Sequence, residues 1–575
     1  MSSHFKEKET IKPVIYQVFP RIFTNTTPSP RQWGKFEENG SGKMEDYTPE
    51  LLHSLHDLGV NFLWFTGIIE HSTKTRFPGV AASNPNVVKG EAGSPYAICD
   101  YYDVDPAIAT VTERRITEFE EMVGRVHESG MKILIDFVPN HTAREYMSDS
   151  APAGVEDFGS HDDTTKFFDP RNNYYYIPNQ LFSPSIPLDR EGDTPYIEFP
   201  SKATGNDCFN AFCGEYDWYE TVKLNYGLDY GDRSEHFDPI PDTWLKMRDI
   251  LLYWCKKGVD GFRCDMVFMV PLPFWHWVIK EVKKTYPATI FIGEIYDVGL
   301  YRPFLDYGGF DYLYDKVNLY DTLVAIERHN HSAARLTQCW QTIDGIGDRM
   351  LNFLENHDEV RFASKEFAGN PLRIVPHIVV SAFISRGPVM IYYGQELGEA
   401  ATDNEGFAGD NNRSTIFDYW SYDTMRRWYG NGKAFGKDST ASERWLRDFY
   451  GRVLNMCNDS DAIREGKFFD LMYVNLNNPD FDPHRHFAFL RYTEEEILLI
   501  AVNFGREETE AAIVIPELAF DMASLSEGKI ETKDLLFDIP LNLDISRDHP
   551  VKITLPGAGA MVARLKPVEK IGGRV

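Results

Sequence analysis

Residues 261–265 read Gly-Phe-Arg-Cys-Asp, so that an apolar run at 259–264 ends on a carboxylate. Two later runs, 289–292 and 350–354, are likewise followed by acidic residues, in Gly-Glu at 293–294 and Asn-His-Asp at 356–358. Short apolar runs of this kind are typical of strands buried in a parallel sheet. In a (β/α)₈ barrel the carboxyl ends of all strands meet on one face, so we expect the three carboxylates to be neighbours there.

The rest of the chain supplies the other strands of such a barrel. Helical patterns separate the apolar runs, as expected for repeated βα units. The predicted fold class is therefore α/β, a (β/α)₈ barrel. Its eight predicted strands are residues 14–19, 61–66, 132–138, 259–264, 289–292, 311–314, 350–354 and 388–393.

Two regions do not fit the barrel repeat. Roughly a hundred residues after the third strand are rich in Asp, Asn, Gly and Tyr, too many for one loop, and predict a small inserted domain. After a final amphipathic helix, short alternating strands predict a C-terminal antiparallel β-sandwich. Those strands are residues 486–492, 497–504, 511–515, 551–555 and 559–565. The predicted domains are residues 1–141 and 239–462 for the barrel, 142–238 for the insert and 463–575 for the β domain.

Composition narrows the class of partner. The net charge of −28 over 575 residues disfavours binding to nucleic acid or to an anionic membrane. Residues 1–10 are polar and lack the apolar segment of a secretory signal, so the chain as it stands is predicted to be cytoplasmic, or secreted or periplasmic if a signal was removed. The seven cysteines form no close pair motif and are predicted to be mostly reduced, with a Cys208–Cys213 disulfide left open.

Three carboxylates on one barrel face suggest chemistry at a glycosidic bond. The minimum equipment for that reaction is one carboxylic acid that protonates the leaving oxygen and one carboxylate on the other side of the bond. Buried ion pairing with barrel arginines is the structural alternative for these three residues.

Four segments in order give the chain a family resemblance. They are Asp-Phe-Val-Pro-Asn-His at 136–141, followed by the 261–265, 293–294 and 356–358 segments already quoted. Tyr-Gln-Val-Phe-Pro at 16–20, Leu-Asn-Tyr at 224–226 and Tyr-Tyr-Gly-Gln-Glu at 392–396 add to them. Over residues 12–460 the chain resembles the α-amylase family of glycoside hydrolases.

The resemblance implies catalytic roles position by position. Asp265 matches the nucleophile that forms a covalent glycosyl-enzyme, and Glu294 matches the general acid/base. Asp358 matches the third carboxylate, which favours the distorted transition state. Arg263, two residues before Asp265 and on the same side of the strand, is expected to hold the nucleophile's charge by hydrogen bonding.

The resemblance also implies substrate-binding residues. His141 and His357 match histidines that donate hydrogen bonds to the reacting sugar, and Tyr96 matches a tyrosine that stacks on its ring. For each of these residues, packing in the core is the alternative. Asp136 is expected to support the site without taking part in the chemistry.

Calcium is the one cofactor that the resemblance raises, and the sequence leaves it open. Asn140 matches a calcium ligand where the barrel meets the insert, and calcium needs six to eight oxygens. Phe268 and Met269 stand where the family has a lysine–histidine pair, although the Met269 carbonyl remains available as a ligand. No organic cofactor is expected.

The resulting expectation is a retaining hydrolase of α-1,4 bonds in α-glucans such as starch and maltooligosaccharides. The alternatives within the family are a transglycosidase or an enzyme directed at cyclodextrin, pullulan or α-1,6 bonds. A remote alternative is a glucan-binding protein without catalysis, which the presence of all three carboxylates disfavours. The sequence does not determine linkage, chain length, endo or exo action, or oligomeric state.

Overall fold

The computed structural model describes residues 11–430 and 432–567, so the sequence predictions for residues 1–10 and for the tail at 570–575 lie outside the described residues. Eight parallel strands close into a barrel, each hydrogen-bonded to the next and the last to the first. The predicted (β/α)₈ barrel is thus confirmed. Its strands are β1 (Val14–Val18), β2 (Phe62–Phe65), β3 (Lys132–Phe137), β4 (Gly261–Cys264), β5 (Ile290–Gly293), β6 (Tyr312–Tyr314), β7 (Met350–Phe353) and β8 (Val389–Tyr392).

Strand β4 illustrates how the barrel positions polar groups. Phe262 and Cys264 are fully buried, and the intervening Arg263 is 1% exposed. Because side chains alternate along a strand, Arg263 projects to the face opposite that of its two apolar neighbours. It pairs in register with Ile292 on β5 and with Asp136 on β3, so the polar residues of β3 and β4 lie at the same height.

Helices surround the barrel because each has one apolar face. In the helix Arg115–Glu128, for example, Phe119, Met122 and Val126 are buried at helical spacing. The helix Ala441–Asp459 begins with a capping box of Thr440 and Glu443. The main helices are α1 (Pro49–Asp57), α2 (Arg115–Glu128), α3 (Asp242–Lys256), α4 (Leu272–Thr285), α5 (Asp321–His329), α6 (Arg335–Thr342), α7 (Val375–Phe383) and α8 (Ala441–Asp459).

The segment between β3 and α3 is an ordered insert at the carboxyl ends of the strands. It contains two short antiparallel ribbons, His141–Ala143 with Thr221–Lys223 and Tyr176–Ile177 with Ser201–Lys202. The first ribbon places His141 where the insert begins, next to the barrel. A third ribbon, Ile69–His71 with Ile98–Val104, follows β2 and leads the chain past the same face.

The C-terminal region is antiparallel, as predicted. Its strands are β9 (Lys467–Asp470), β10 (His486–Tyr492), β11 (Ile497–Asn503), β12 (Thr509–Ile513), β13 (Gly528–Asp534), β14 (Ile539–Ile545), β15 (Val551–Leu555) and β16 (Gly559–Leu565). A six-stranded sheet has the order β9-β10-β11-β16-β13-β14, and β12 pairs with β15. Strands β9, β13 and β14 were not predicted from sequence.

Two further sequence predictions concern the whole chain. All seven cysteines are free thiols, so Cys208 and Cys213 form no disulfide in this structure. No helix within residues 11–430 and 432–567 combines the length and the apolar character needed to cross a membrane. The domain boundaries at 141, 238 and 462 stay predictions.

Candidate active site

The three predicted catalytic carboxylates lie at the carboxyl ends of three barrel strands. Asp265 follows β4, Glu294 follows β5, and Asp358 lies in the loop after β7. Asp265 is 6% exposed and Glu294 2% exposed, whereas the side chain of Asp358 is 43% exposed. The carboxyl-terminal face of the barrel therefore brings together residues that are far apart in sequence. Asp265 and Asp358, for example, are separated by 93 positions.

A single guanidinium connects the first two carboxylates. Arg263 Nη1 lies 2.8 Å from Asp265 Oδ1, and Nη2 lies 2.7 Å from Glu294 Oε1. Arg263 Nε donates to the Tyr314 hydroxyl at 3.3 Å. Two carboxyl groups that share one guanidinium are close together, and retaining glycosidases need a carboxyl separation of about 5–5.5 Å, shorter than the ~6.5–9.5 Å of inverting ones.

The surroundings of Asp265 perturb its pKa. Burial and the nearby Glu294 carboxylate raise the pKa of Asp265 well above its ordinary value, and the Arg263 guanidinium opposes that rise. A retaining glycosidase needs one ionised nucleophile and one protonated acid. The contact of Arg263 with Asp265 favours the ionised form of that carboxyl group.

Tyr96 and His357 form a stacked pair beside Arg263. Their ring centroids are 5.2 Å apart with planes inclined by 19°, and the Tyr96 hydroxyl lies 2.6 Å from His357 Nε2. Gln17 donates toward His357 Nδ1 at 2.9 Å, which leaves the ring proton on Nε2. Nε2 is also 3.1 Å from Asp358 Oδ2. Burial lowers the pKa of His357 to about 3, so the ring is neutral near neutral pH.

His141 and Asp136 occupy supporting positions. The His141 ring packs on Trp218 with centroids 5.3 Å apart, and burial lowers its pKa to about 3. Asp136 accepts hydrogen bonds from Trp64 at 3.1 Å and from the Tyr96 hydroxyl at 3.3 Å. Burial raises the pKa of Asp136 to about 7. Asp136 thus orients Tyr96 from below, the supporting position expected from sequence.

These side chains line one cavity of about 360 Å³, near the lower end of ligand-pocket sizes, roughly 300–1,000 Å³. The predicted residues Tyr96, His141, Asp265, Glu294, His357 and Asp358 all line it. The structure therefore brings the predicted catalytic and sugar-binding side chains together. Arg263 contacts this cavity's carboxylates from beneath.

Several residues of the site were not predicted. Tyr296 donates a hydrogen bond to Glu294 Oε1, and the alternation of side chains after Glu294 was the signal for it. Lys89, Trp218, Glu220 and Phe417 line the cavity from loops that carry no recognisable motif. Gln17 lies within the quoted segment at 16–20, and only its contact with His357 reveals its role.

The oxygens around Asn140 do not fit a calcium ion as they are arranged, because an ammonium group lies among them. Lys223, 2% exposed, donates to Asn140 Oδ1, lies 2.7 Å from Asp207 Oδ1 and donates to the Met269 carbonyl at 3.1 Å. A divalent ion at the same position would meet the repulsion of this buried positive charge.

Comparison with known proteins agrees with this geometry. The family described as "Alpha amylase, catalytic domain" matches residues 17–450. An α-glucosidase of Apis mellifera is 23% identical over 86% of this chain and 85% of its own length. Neopullulanase 2 of Thermoactinomyces vulgaris is 25% identical over 88% of this chain and 71% of its own.

Solved structures share the fold. A maltogenic α-amylase of Thermotoga neapolitana superposes with a TM-score of 0.61 at 19% identity, covering 96% of this chain and 98% of that one. An α-amylase of Geobacillus thermoleovorans complexed with acarbose also gives 0.61 at 20% identity, covering 98% and 100%. With the family match over most of its length and three carboxylates on the barrel face, this chain belongs to the α-amylase family.

Proposed function

We propose that the protein is a retaining glycoside hydrolase that cleaves α-1,4 bonds in α-glucans, with maltooligosaccharides as its preferred substrates. The observation that carries the proposal is the contact of one guanidinium, that of Arg263, with both Asp265 and Glu294 inside the cavity. Family membership and relatives named as an α-glucosidase and a neopullulanase support the substrate class. A cavity of about 360 Å³ has room for only a few sugar units of a substrate chain.

In the proposed first step, Asp265 attacks the anomeric carbon while Glu294 protonates the leaving oxygen. The products are a covalent glycosyl-Asp265 ester and the released sugar chain. Glu294 then removes a proton from water, which attacks the ester and restores the original configuration. The hydrogen bond from Arg263 favours the ionised form of Asp265, which is the form that attacks.

The two oxygens of Glu294 differ in their contacts. Oε1 contacts Arg263 and accepts from Tyr296, and Oε2 accepts from the Met266 N–H at 2.8 Å. A carboxyl oxygen has two lone-pair sites, so Oε2 keeps one for a proton. We therefore assign the proton that the leaving oxygen receives to Oε2.

Asp358 and His357 are proposed to hold hydroxyl groups of the reacting sugar. The neutral His357 has one N–H, at Nε2, which points toward Asp358 Oδ2 and the Tyr96 hydroxyl. A carboxylate and a neutral donor side by side match a pair of adjacent sugar hydroxyls. Contacts of this kind that strengthen in the distorted transition state raise kcat more than they lower KM.

Transglycosylation is a second candidate because of Phe268. Its ring is 38% exposed and lies 6.2 Å from that of Tyr296, on the leaving-group side of Glu294. An apolar face there binds a sugar acceptor with little selectivity, so an acceptor other than water can attack the ester. This candidate shares the covalent step with hydrolysis.

The experiment is to incubate the protein with maltotriose, maltoheptaose, amylose, pullulan and cyclodextrins and to resolve the products by size and anomeric form. We expect rapid cleavage of maltoheptaose to α-anomeric products and slow cleavage of pullulan. Longer products at high substrate concentration would identify transglycosylation. A β-anomeric first product, or no cleavage of any of the α-1,4 substrates, would refute the proposal.

A further inference from the structure

One end of the cavity is formed by a buried ion pair that the mechanism above does not use. Lys89 Nζ lies 2.9 Å from Glu220 Oε2, and the two residues are 9% and 5% exposed. The Lys89 ammonium also lies 5.1 Å above the Tyr219 ring and 3.5 Å from the Asp217 carbonyl. Both charged side chains line the same cavity as Asp265 and Glu294.

The hydrogen-bonding capacity of this pair is largely unused within the protein. An ammonium has three donors, and the only close acceptors of Lys89 are Glu220 and the distant Asp217 carbonyl, among the described residues. Glu220 Oε2 accepts no hydrogen bond of good geometry from the described residues. Buried charges are ordinarily satisfied by additional hydrogen bonds. A sugar with adjacent hydroxyls, each both donor and acceptor, would supply them.

The loops that carry this end of the cavity are firmly tied to one another. The Ala92 N–H donates to the Phe417 carbonyl at 3.0 Å. Arg21, 1% exposed, donates to the carbonyls of Ile416 at 2.7 Å and of Gly93 at 3.3 Å. The ion pair with Glu220 then joins the Lys89 loop to the insert. Three distant parts of the chain therefore form one fixed wall.

Another part of the site is more open. Glu294 accepts a hydrogen bond from Tyr296, whose ring lies 6.2 Å from that of Phe268, a residue that is 38% exposed and outside the cavity lining. Since Glu294 protonates the leaving group, we expect this exposed side to receive the part of the chain that departs. The buried Lys89 and Glu220 side chains are then left for the part that stays attached to Asp265.

We propose that Lys89 and Glu220 bind the hydroxyl groups of the sugar at the non-reducing end, so that the enzyme acts from that end of an α-glucan and not within it. The inference rests on the proposed function, since it concerns the same cavity. A chain that continued beyond this sugar would have to pass through the wall formed by the Lys89 loop, Glu220 and Phe417. Short units released from chain ends are the expected products.

The test compares maltoheptaose with maltoheptaose whose non-reducing terminal sugar is blocked by a 4,6-acetal. We expect kcat/KM for the blocked substrate to be at least about 100-fold lower, because the acetal removes two hydroxyl groups and adds bulk at the wall. Equal rates on the two substrates would overturn the inference and leave the proposed function intact. Failure to cleave unblocked maltoheptaose would instead contradict the proposed function.

Variants locate the effect at the ion pair. Lys89→Met and Glu220→Gln should each lower kcat/KM for unblocked maltoheptaose by roughly 10-fold or more, chiefly through KM. The matched control is Lys74→Met, which removes a partly buried ammonium paired with Glu91 and Glu191 outside the cavity lining. If the folded Lys89 and Glu220 variants keep the wild-type KM and the wild-type ratio between blocked and unblocked substrates, the assignment is wrong. Thermal midpoints of all three variants report whether they fold.

Discussion

Arg263 is the residue on which the site depends most. It is 1% exposed, contacts Asp265 and Glu294 at 2.8 and 2.7 Å, and lies 3.5 Å from Asp136. Burying three carboxyl groups together is unfavourable because their charges repel. Arg263 offsets this repulsion because its guanidinium is always charged and has several N–H donors in one plane. The same arrangement keeps the nucleophile and the acid at a fixed spacing.

At this scale we predict that Asp265→Asn and Glu294→Gln abolish turnover and leave the fold intact, since each change is nearly isosteric. Loss of the acid/base should cost about 10²–10⁴-fold in kcat. Asp265→Asn should cost more, because no glycosyl-enzyme can form. The measurement is kcat on maltoheptaose together with the thermal midpoint. A folded variant of either kind with near wild-type activity would remove that residue from its role.

His357 gives a prediction about pH. Its pKa is lowered from 6.5 to about 3 in the folded protein, so between those values the unfolded chain binds the extra proton and the folded protein does not. Stability from this residue is therefore fully present above about pH 6.5 and is lost as pH falls toward 3, by up to about 1.4 kcal/mol per pH unit.

The measurement is the thermal midpoint of the wild type and of His357→Gln between pH 7.5 and pH 4. Loss of the Gln17 and Tyr96 contacts should make the variant less stable at neutral pH, and the gap should narrow as the solution becomes acidic. A gap that stays constant or widens toward pH 4 would show that His357 is protonated in the folded protein.

At the scale of elements, the ribbon of His141–Ala143 with Thr221–Lys223 joins the insert to the barrel. One of its strands carries His141 into the cavity. The other carries Lys223, whose ammonium contacts Asn140, Asp207 and the carbonyl of Met269 in the segment after β4. A single buried cation thus holds the nucleophile's loop, the β3 loop and the insert together.

We predict that Lys223→Met destabilises the protein by on the order of 3 kcal/mol, because it leaves a carboxylate and two carbonyl oxygens without their donor. The matched control within the insert is Lys166→Met, whose half-exposed ammonium pairs with Asp163 and Asp169 and should contribute much less, because solvent screens exposed pairs. Thermal denaturation of both variants tests this. Equal, small shifts would mean that the junction does not depend on the buried ammonium.

Over the whole molecule, the barrel could be predicted because its strands are short apolar runs separated by helical patterns, and three of the runs are followed by carboxylates. The hairpin of β13 and β14 could not, since these strands expose most of their side chains, and Lys529, Glu531 and Lys533 give β13 the composition of a surface loop. A strand with one weakly covered face has no strong apolar pattern to detect.

The candidate site likewise contains residues that could be predicted from sequence and residues that could not. Asp265, Glu294 and Asp358 occur in motifs at strand ends, so order along the chain was enough to bring them together. Lys89 and Glu220 are 131 positions apart, by subtraction of their numbers, and neither stands in a motif. Only the folded arrangement of two loops makes them an ion pair, and sequence alone carries no signal for such a contact.

The central claim, covalent catalysis by Asp265, is tested most directly by trapping the ester. The Glu294→Gln variant, which cannot complete the second step efficiently, is incubated with an α-glucosyl fluoride, whose leaving group needs no acid. Peptide mass spectrometry then locates the attached sugar. The account predicts one hexose on the peptide that contains Asp265, and none in the Asp265→Asn, Glu294→Gln double variant. A sugar on another residue, or fluoride release with a β-anomeric product and no adduct, would contradict it.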